Sequence, residues 1–241
     1  MKKDDIYASQ LANVTDFSFD AGVVEVFPDM IQRSVPGYAT IVSTVGKIAE
    51  RYFQPDTNIY DLGCSLGAAT LSIRRALNGQ QGQIIAVDNS EAMVNRCRLH
   101  VDAFKSSIPA DIQLGDIRDI PMENASVVVL NFTLQFLPPD DRTALIQRIQ
   151  QALVPGGVLI LSEKFNHGSD FMNEALIDLH HDFKRANGYS ELEISQKRTA
   201  LENVMKPDTI HTHKTRLKDA GFSHQTVWYQ CFNFCSMFAV K

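Results

Sequence analysis

Apolar residues recur along this chain at two spacings, and the changes of spacing mark where elements begin and end. From Ala39 to Tyr52, the residues Ile41, Val42, Val45, Ile48, Ala49 and Tyr52 fall on one helical face, which predicts an amphipathic helix. After Pro55, short apolar runs alternate with helical patterns: strands at Asn58–Leu62, Gln83–Val87, Asp111–Leu114, Ser126–Asn131 and Val158–Glu163, with helices at Ala68–Leu77, Ser90–Phe104 and Pro139–Leu153. Ser90 is a natural N-cap for its helix. Such alternation specifies an α/β fold, a mostly parallel sheet wrapped by helices.

Residues 164–220 interrupt that rhythm, because three helical patterns (170–186, 190–205 and 208–220) follow one another with no strand between them. They read as a helical cap. Gln225–Tyr229 and Phe234–Val240 are strand-like and close enough to pair as an antiparallel hairpin, bringing the sheet to seven strands. The first 35 residues mix Phe17, Phe19, Val23, Val24, Val26 and Phe27 with the breakers Pro28 and Pro36 and show no clean period. The expected organisation is an irregular arm over 1–35, a core over 36–163, a cap insertion over 164–220, and strands within 221–241 that complete the core sheet.

Composition narrows the partners. The 23 Lys and Arg against 28 Asp and Glu leave a net charge of −5, and no basic run is present, so affinity for nucleic acid by phosphate neutralisation is not expected. Apolar runs such as Val127–Leu130 fall far short of the roughly 18 residues that cross a bilayer. No apolar leader follows Met1-Lys2-Lys3-Asp4-Asp5, and Cys64, Cys97, Cys231 and Cys235 show no CxxC spacing. A cytoplasmic protein is expected, without membrane or direct nucleic-acid contact. Cys231 and Cys235, four apart, are expected on one face of one element. Neither His180-His181 nor His211-x-His213 has a third ligand at a recognisable spacing, so no metal is expected.

The chemistry concentrates at Ile59-Tyr60-Asp61-Leu62-Gly63-Cys64-Ser65-Leu66-Gly67, a strand running through a glycine turn into a helix. Such a turn aims backbone N–H groups and a helix N-terminus at the carboxyl edge of the sheet. A dinucleotide site requires GxGxxG, and here Ser65 stands at the second glycine while Gly67 falls one residue short of the third. A nucleophile elbow, GxSxG, matches Gly63–Gly67, yet the turn follows the first strand, with no upstream loop to supply an oxyanion hole. An S-adenosylmethionine site explains the residues at the later strand ends as well. Asp88-Asn89 ends the second strand with an acid placed for ribose hydroxyls. Asp116-Ile117 follows the third, where a short side chain receives an adenine amino group, and Asn131 ends the fourth at the reaction centre. Acids at three successive strand ends, Asp61, Asp88 and Asp116, also create a negative field that suits a sulfonium and an ammonium and repels a pyrophosphate.

These motifs resemble the class I methyltransferase-like fold across residues 36–241 and, within it, the carboxy-S-adenosylmethionine synthase family. The narrower resemblance is carried by Ser34–Tyr38, Asp61–Thr70, Gly115–Ile120, Val129–Leu137 and, inside the cap, His181–Ser190 and Ser195–Arg198. It implies that Tyr38, Gly63, Cys64, Ser65, Asp88, Asn89, Asp116, Ile117 and Asn131 contact S-adenosyl-L-methionine, and that Arg198 binds the new carboxylate of carboxy-S-adenosyl-L-methionine. The implied reaction starts when prephenate loses CO2 and hydroxide to become phenylpyruvate; the methyl then loses a proton to give a sulfonium ylide, which captures the CO2. The resemblance further implies a homodimer and a product consumed by a tRNA carboxymethyltransferase acting on wobble uridine.

Elementary acid–base chemistry accepts this scheme. A methyl beside a sulfonium is a very weak carbon acid, and an Asp or Glu of ordinary pKa is badly mismatched as its base, whereas a base released from the substrate is not. A dianionic substrate also requires cations over an otherwise acidic mouth, and Arg185, Lys197 and Arg198 are the expected sources. The main rival is a methyltransferase acting on a small acidic acceptor, with the same fold and cofactor residues.

Overall fold

A computed structural model describes residues 2–241. Seven strands form one sheet in the order β3-β2-β1-β4-β5-β7-β6: β1 Thr57–Leu62, β2 Gly82–Asp88, β3 Ala110–Leu114, β4 Ala125–Asn131, β5 Leu153–Lys164, β6 His224–Cys231 and β7 Phe234–Val240. β1 to β5 pair in parallel, and β7 runs antiparallel to both β5 and β6. The helices are α1 Ala21–Ser34, α2 Tyr38–Tyr52, α3 Ala68–Ala76, α4 Glu91–Ala103, α5 Pro139–Ala152, α6 Asp170–Ala186, α7 Glu191–Glu202 and α8 Ile210–Asp219.

The central strands are apolar on both sides because helices cover both faces. In β4, Val127 and Val129 join the core on one face with Ile41, Val45 and Ile73, while Val128 and Leu130 join the other with Ile146 and Ile149. Strand order reverses between β1 and β4, and a crevice opens there at the carboxyl ends of the strands. The sequence spacing that marks β1 to β4 therefore also fixes where a ligand can lie.

Three local expectations change. Residues 21–34 are helical instead of irregular: the Asp20 side chain caps the helix by accepting from Val23 N, and Val23, Val24, Val26 and Met30 are buried. Pro28 sits inside α1, where a proline removes one backbone hydrogen bond; apolar burial against Leu66 and Met93 outweighs that loss. β5 begins five residues early, at Leu153, because Leu153 pairs with Ala125 before Val154–Gly157 loop out and pairing resumes at Val158 opposite Val127. Cys231 and Cys235 lie on different strands, since Phe232 and Asn233 turn the β6–β7 hairpin between them.

Between β5 and β6 the chain forms α6, α7 and α8 with no added strand. Ser190 and Glu193 make a reciprocal capping box at the start of α7. The amino-terminal segment is tied to these helices: Tyr189 Oη donates to Asp4 Oδ2 at 2.5 Å, Gln196 Nε2 donates to the carbonyls of Tyr7 and Ser9, and Arg33 Nε donates to the carbonyl of Asn187.

Candidate active site

Gly63, Ser65 and Gly67 all adopt positive φ, so the chain turns sharply from β1 into α3 and presents backbone N–H groups to the crevice. Gly63 has a second reason to be glycine, because a Cβ there would lie 2.4 Å from the Thr133 side chain. Ser65 carries a side chain in this left-handed region and is held by Asp88, whose Oδ2 accepts from Ser65 N at 2.8 Å while Oδ1 accepts from Ser90 N at 2.9 Å. One carboxylate at the end of β2 thus organises both the glycine turn and the start of α4. Ser65 Oγ donates to the Met93 sulfur, which cannot act as a general base, and nothing in this arrangement supports a nucleophile elbow.

The turn opens onto a cavity of about 280 Å³. Tyr38, Gly63, Cys64, Ser65, Asp88 and Asn89 line it, together with Asp116, Ile117 and Asn131. Arg198 does not: it is exposed on α7, outside the cavity wall, although its positive charge acts on Lys164, Lys184 and His181. Arg185 is also outside, exposed and bound to Asp182 and Glu191.

Two buried acceptors in the wall lack a partner among the described residues. Asp61 Oδ2 accepts from Thr70 Oγ1 at 2.5 Å, but Asp61 Oδ1 has none, and neither does Asn131 Oδ1. Burial, reinforced by the neighbouring Asp88 charge, pushes the Asp61 carboxyl up to about 6. Burial raises Asp88 as well, against the hydrogen bonds from Ser90 and Ser65 that hold it down. Asp116 behaves oppositely, because hydrogen bonds from the Arg118 guanidinium keep it below the ordinary carboxylate range. Arg118 also reaches Asp141, so the rim acid is oriented by a surface ion-pair chain. A ligand carrying an ammonium and a ribose would satisfy these unpaired oxygens, and the S-adenosylmethionine fit is good on that ground.

The opposite wall is basic. Lys164 ends β5, Lys184 lies on α6 and Lys197 on α7; all three line the cavity. Burial lowers Lys184 to about 7 and both Lys164 and Lys197 to about 8, with neighbouring cations adding to the fall. His180, on the same wall, is pushed down to about 2, chiefly by burial, and is neutral; its Nε2 lies 2.8 Å from the Ser34 carbonyl. Of this wall, the sequence pattern singles out Lys197 alone. Lys164 obeys the same rule as the acids, being a charged residue at the carboxyl end of a strand, and that rule could have found it.

Behind the Asn131 loop lies Glu163, fully buried, with Oε1 accepting from Leu134 N at 3.0 Å and Oε2 unpaired. Burial pushes it up to about 8. The folded protein therefore binds this proton more tightly than the unfolded chain, and Glu163 lowers stability increasingly as pH rises from its unfolded pKa towards 8. Replacing Glu163 by Gln is expected to raise the melting temperature relative to wild type at pH 8 by more than it does at pH 4, measured by differential scanning fluorimetry. A difference independent of pH would refute the raised carboxyl.

A glycine turn after β1, an acid ending β2, a rim acid after β3 and an Asn ending β4, on a seven-stranded sheet with an antiparallel carboxyl-terminal strand, define the class I S-adenosylmethionine-dependent methyltransferase fold. Residues 59–157 match the family model described as "Methyltransferase domain". The fold is similar to that of an O-methyltransferase family protein from Burkholderia thailandensis (TM-score 0.67, 14% identity, 92% of this chain and 60% of that one). Human N-acetylserotonin methyltransferase in complex with S-adenosylmethionine is also similar (TM-score 0.60, 17% identity, 92% and 55%). Among relatives in sequence, the carboxy-S-adenosyl-L-methionine synthase of Pseudoalteromonas translucida is 64% identical over 99% of both chains, and that of Vibrio campbellii is 63% identical over 99% of this chain and 97% of its own. The chain belongs to the carboxy-S-adenosyl-L-methionine synthase family.

Proposed function

We propose that this protein converts S-adenosyl-L-methionine and prephenate into carboxy-S-adenosyl-L-methionine and phenylpyruvate. The observation that carries the reading is the division of charge within the cavity, with Asp61, Asp88 and Asp116 on one wall and Lys164, Lys184 and Lys197 on the other. A sulfonium and an ammonium are attracted to the first wall, and an anionic acceptor to the second.

On the acidic wall, Asp88 and Asn89 hold the ribose hydroxyls, Asp116 receives the adenine amino group, and Ile117 packs on the base. Asp61 faces the ammonium, with Gly63, Cys64, Ser65 and Tyr38 around the methionine tail. Asn131 offers its unpaired oxygen beside the reacting methyl. Arg198, a long exposed side chain one residue beyond Lys197, turns inward to bind the new carboxylate through its planar guanidinium.

Bound S-adenosyl-L-methionine supplies a methyl group made weakly acidic by the adjacent cationic sulfur. Prephenate breaks the bond to its ring carboxylate and loses its hydroxyl, giving phenylpyruvate, CO2 and hydroxide; the hydroxide takes one methyl proton to become water, and the methyl carbon bonds to the CO2. Asp61, even when raised to about 6, is far too weak a base to replace that hydroxide. The protein's part is to hold the two reactants in register and keep bulk water from competing for the proton.

In this reading residues 36–163 and 221–241 bind the cofactor, the cap at 164–220 supplies the acceptor side, and the 1–35 arm covers the mouth. Four free cysteines fit a reducing compartment, the cytoplasm. Exposed Phe171, Met172 and Leu179 on α6 fit a homodimer contact. The product is the donor for a tRNA carboxymethyltransferase.

Mass spectrometry of small molecules after mixing the protein with S-adenosyl-L-methionine and prephenate tests the reading. The expected result is a cofactor heavier by one CO2, formed together with phenylpyruvate. Unchanged cofactor would overturn it.

A further inference from the structure

The basic wall has a structure of its own. Lys197 already has partners: its Nζ lies 3.5 Å from Asp4 Oδ2 and 3.2 Å from Ser34 Oγ. Asp4 in turn is held by Tyr189 and, through its backbone, by Asp29 and Arg33. The ammonium groups of Lys164 and Lys184 have neither an ion pair nor a hydrogen bond among the described residues, although Lys184 is only 8% exposed and both side chains line the cavity. Two ammonium groups of like charge that line one cavity with no counter-charge of their own are compensated by an anion entering it.

The space between them and Asn131 is walled by rings. Phe234 lies 4.8 Å from His180 and 6.1 Å from Phe132, and Phe132 lies 6.4 Å from Tyr38, all centroid to centroid. Lys164 Nζ stands 6.0 Å from the Phe234 centroid. Such a chamber suits a flat unsaturated ring between charged ends.

Building on the proposed reaction, we propose that Lys164 and Lys184 form a two-point subsite for the two carboxylates of a small, ring-bearing dicarboxylate acceptor. Lys197 is a positioning residue, fixed by Asp4 and Ser34, that ties the amino-terminal segment to this wall. The subsite lies on the acceptor side, at the end of β5 and on α6, whereas the cofactor-binding turn follows β1.

Calorimetric titration of prephenate into protein loaded with S-adenosyl-L-homocysteine, which has no methyl to carboxylate, separates binding from turnover. Lys164→Met and Lys184→Met are each expected to weaken prephenate binding by about tenfold to a hundredfold, the loss of one charged hydrogen-bonding partner, and to leave S-adenosyl-L-homocysteine affinity within about twofold. Lys184→Arg retains most of the prephenate affinity. Phenylpyruvate, with one carboxylate, binds wild type about as weakly as prephenate binds the variants. Prephenate affinity unchanged in both variants would overturn the subsite, and so would a parallel loss of S-adenosyl-L-homocysteine affinity.

A second readout needs no variant. The groups facing the two lysines are Lys197 and Arg198 of α7, His180 and His181 of α6, and Asp4 of the arm. Burial leaves the empty-site ammonium groups partly deprotonated at pH 8, and a dianion restores the charge. Prephenate binding at pH 8 is therefore expected to take up protons, read from the dependence of binding heat on buffer ionisation enthalpy. Absence of uptake contradicts the subsite. Wild type that binds prephenate as described but yields no carboxylated cofactor would refute the proposed reaction and leave the subsite standing.

Discussion

Asp88→Ala raises the dissociation constant for S-adenosyl-L-methionine by about a hundredfold or more in a calorimetric titration. The side chain does two things at once. Its oxygens anchor Ser65 N and Ser90 N, fixing the turn whose backbone faces the ligand, and their remaining lone pairs are the acceptors for the ribose hydroxyls. A hydrogen bond to a charged acceptor contributes about 1.5–3 kcal/mol, so losing two exceeds the hundredfold mark even before the turn relaxes. Asp88→Asn keeps the shape but turns one acceptor into a donor, and an intermediate loss is expected. Affinity within about threefold of wild type in the Ala variant would mean that the ligand does not cross the end of β2.

Arg198→Ala is expected to abolish carboxylated product while leaving S-adenosyl-L-methionine affinity nearly unchanged, as measured by product mass spectrometry beside a binding titration. Arg198 lies outside the wall that holds the nucleoside, so truncating it leaves those contacts intact. Arg198→Lys restores the charge without the two parallel donors and is expected to recover little. Normal turnover by the Ala variant would remove Arg198 from the reaction and leave Lys164 and Lys184 to hold every carboxylate.

The difference between the two walls explains how much of the site is legible in the sequence. Strand ends in an alternating α/β chain project onto one sheet edge by topology alone, so Asp61, Asp88, Asp116 and Asn131 meet at one crevice once the alternation is recognised. The basic wall depends on how α6 and α7 dock, and helical spacing does not say which polar residue is turned inward. Lys184 is buried while its neighbour Arg185 is exposed, and Lys197 is buried while Arg198 is not. The acidic neighbours Asp182 and Glu191 engage Arg185 and leave no guanidinium for the cavity. The helix α1 is hidden for another reason: Pro28 is a breaker by local propensity, and only tertiary burial of Val23, Val26 and Met30 keeps the helix continuous. Looping out of Val154–Gly157 masks the start of β5 in the same way, because Pro155-Gly156-Gly157 reads as a turn and the pairing of Leu153 with Ala125 is a long-range fact.

The proposed reaction moves one carbon from one reactant to the other within this cavity. Prephenate carrying carbon-13 in its ring carboxylate, incubated with the protein and S-adenosyl-L-methionine in buffer containing unlabelled bicarbonate, allows that carbon to be traced by mass spectrometry. Label in the carboxyl group of the modified cofactor, matched by unlabelled phenylpyruvate, is the predicted result. Carboxylated cofactor without label, or a methylated acceptor beside S-adenosyl-L-homocysteine, would contradict it.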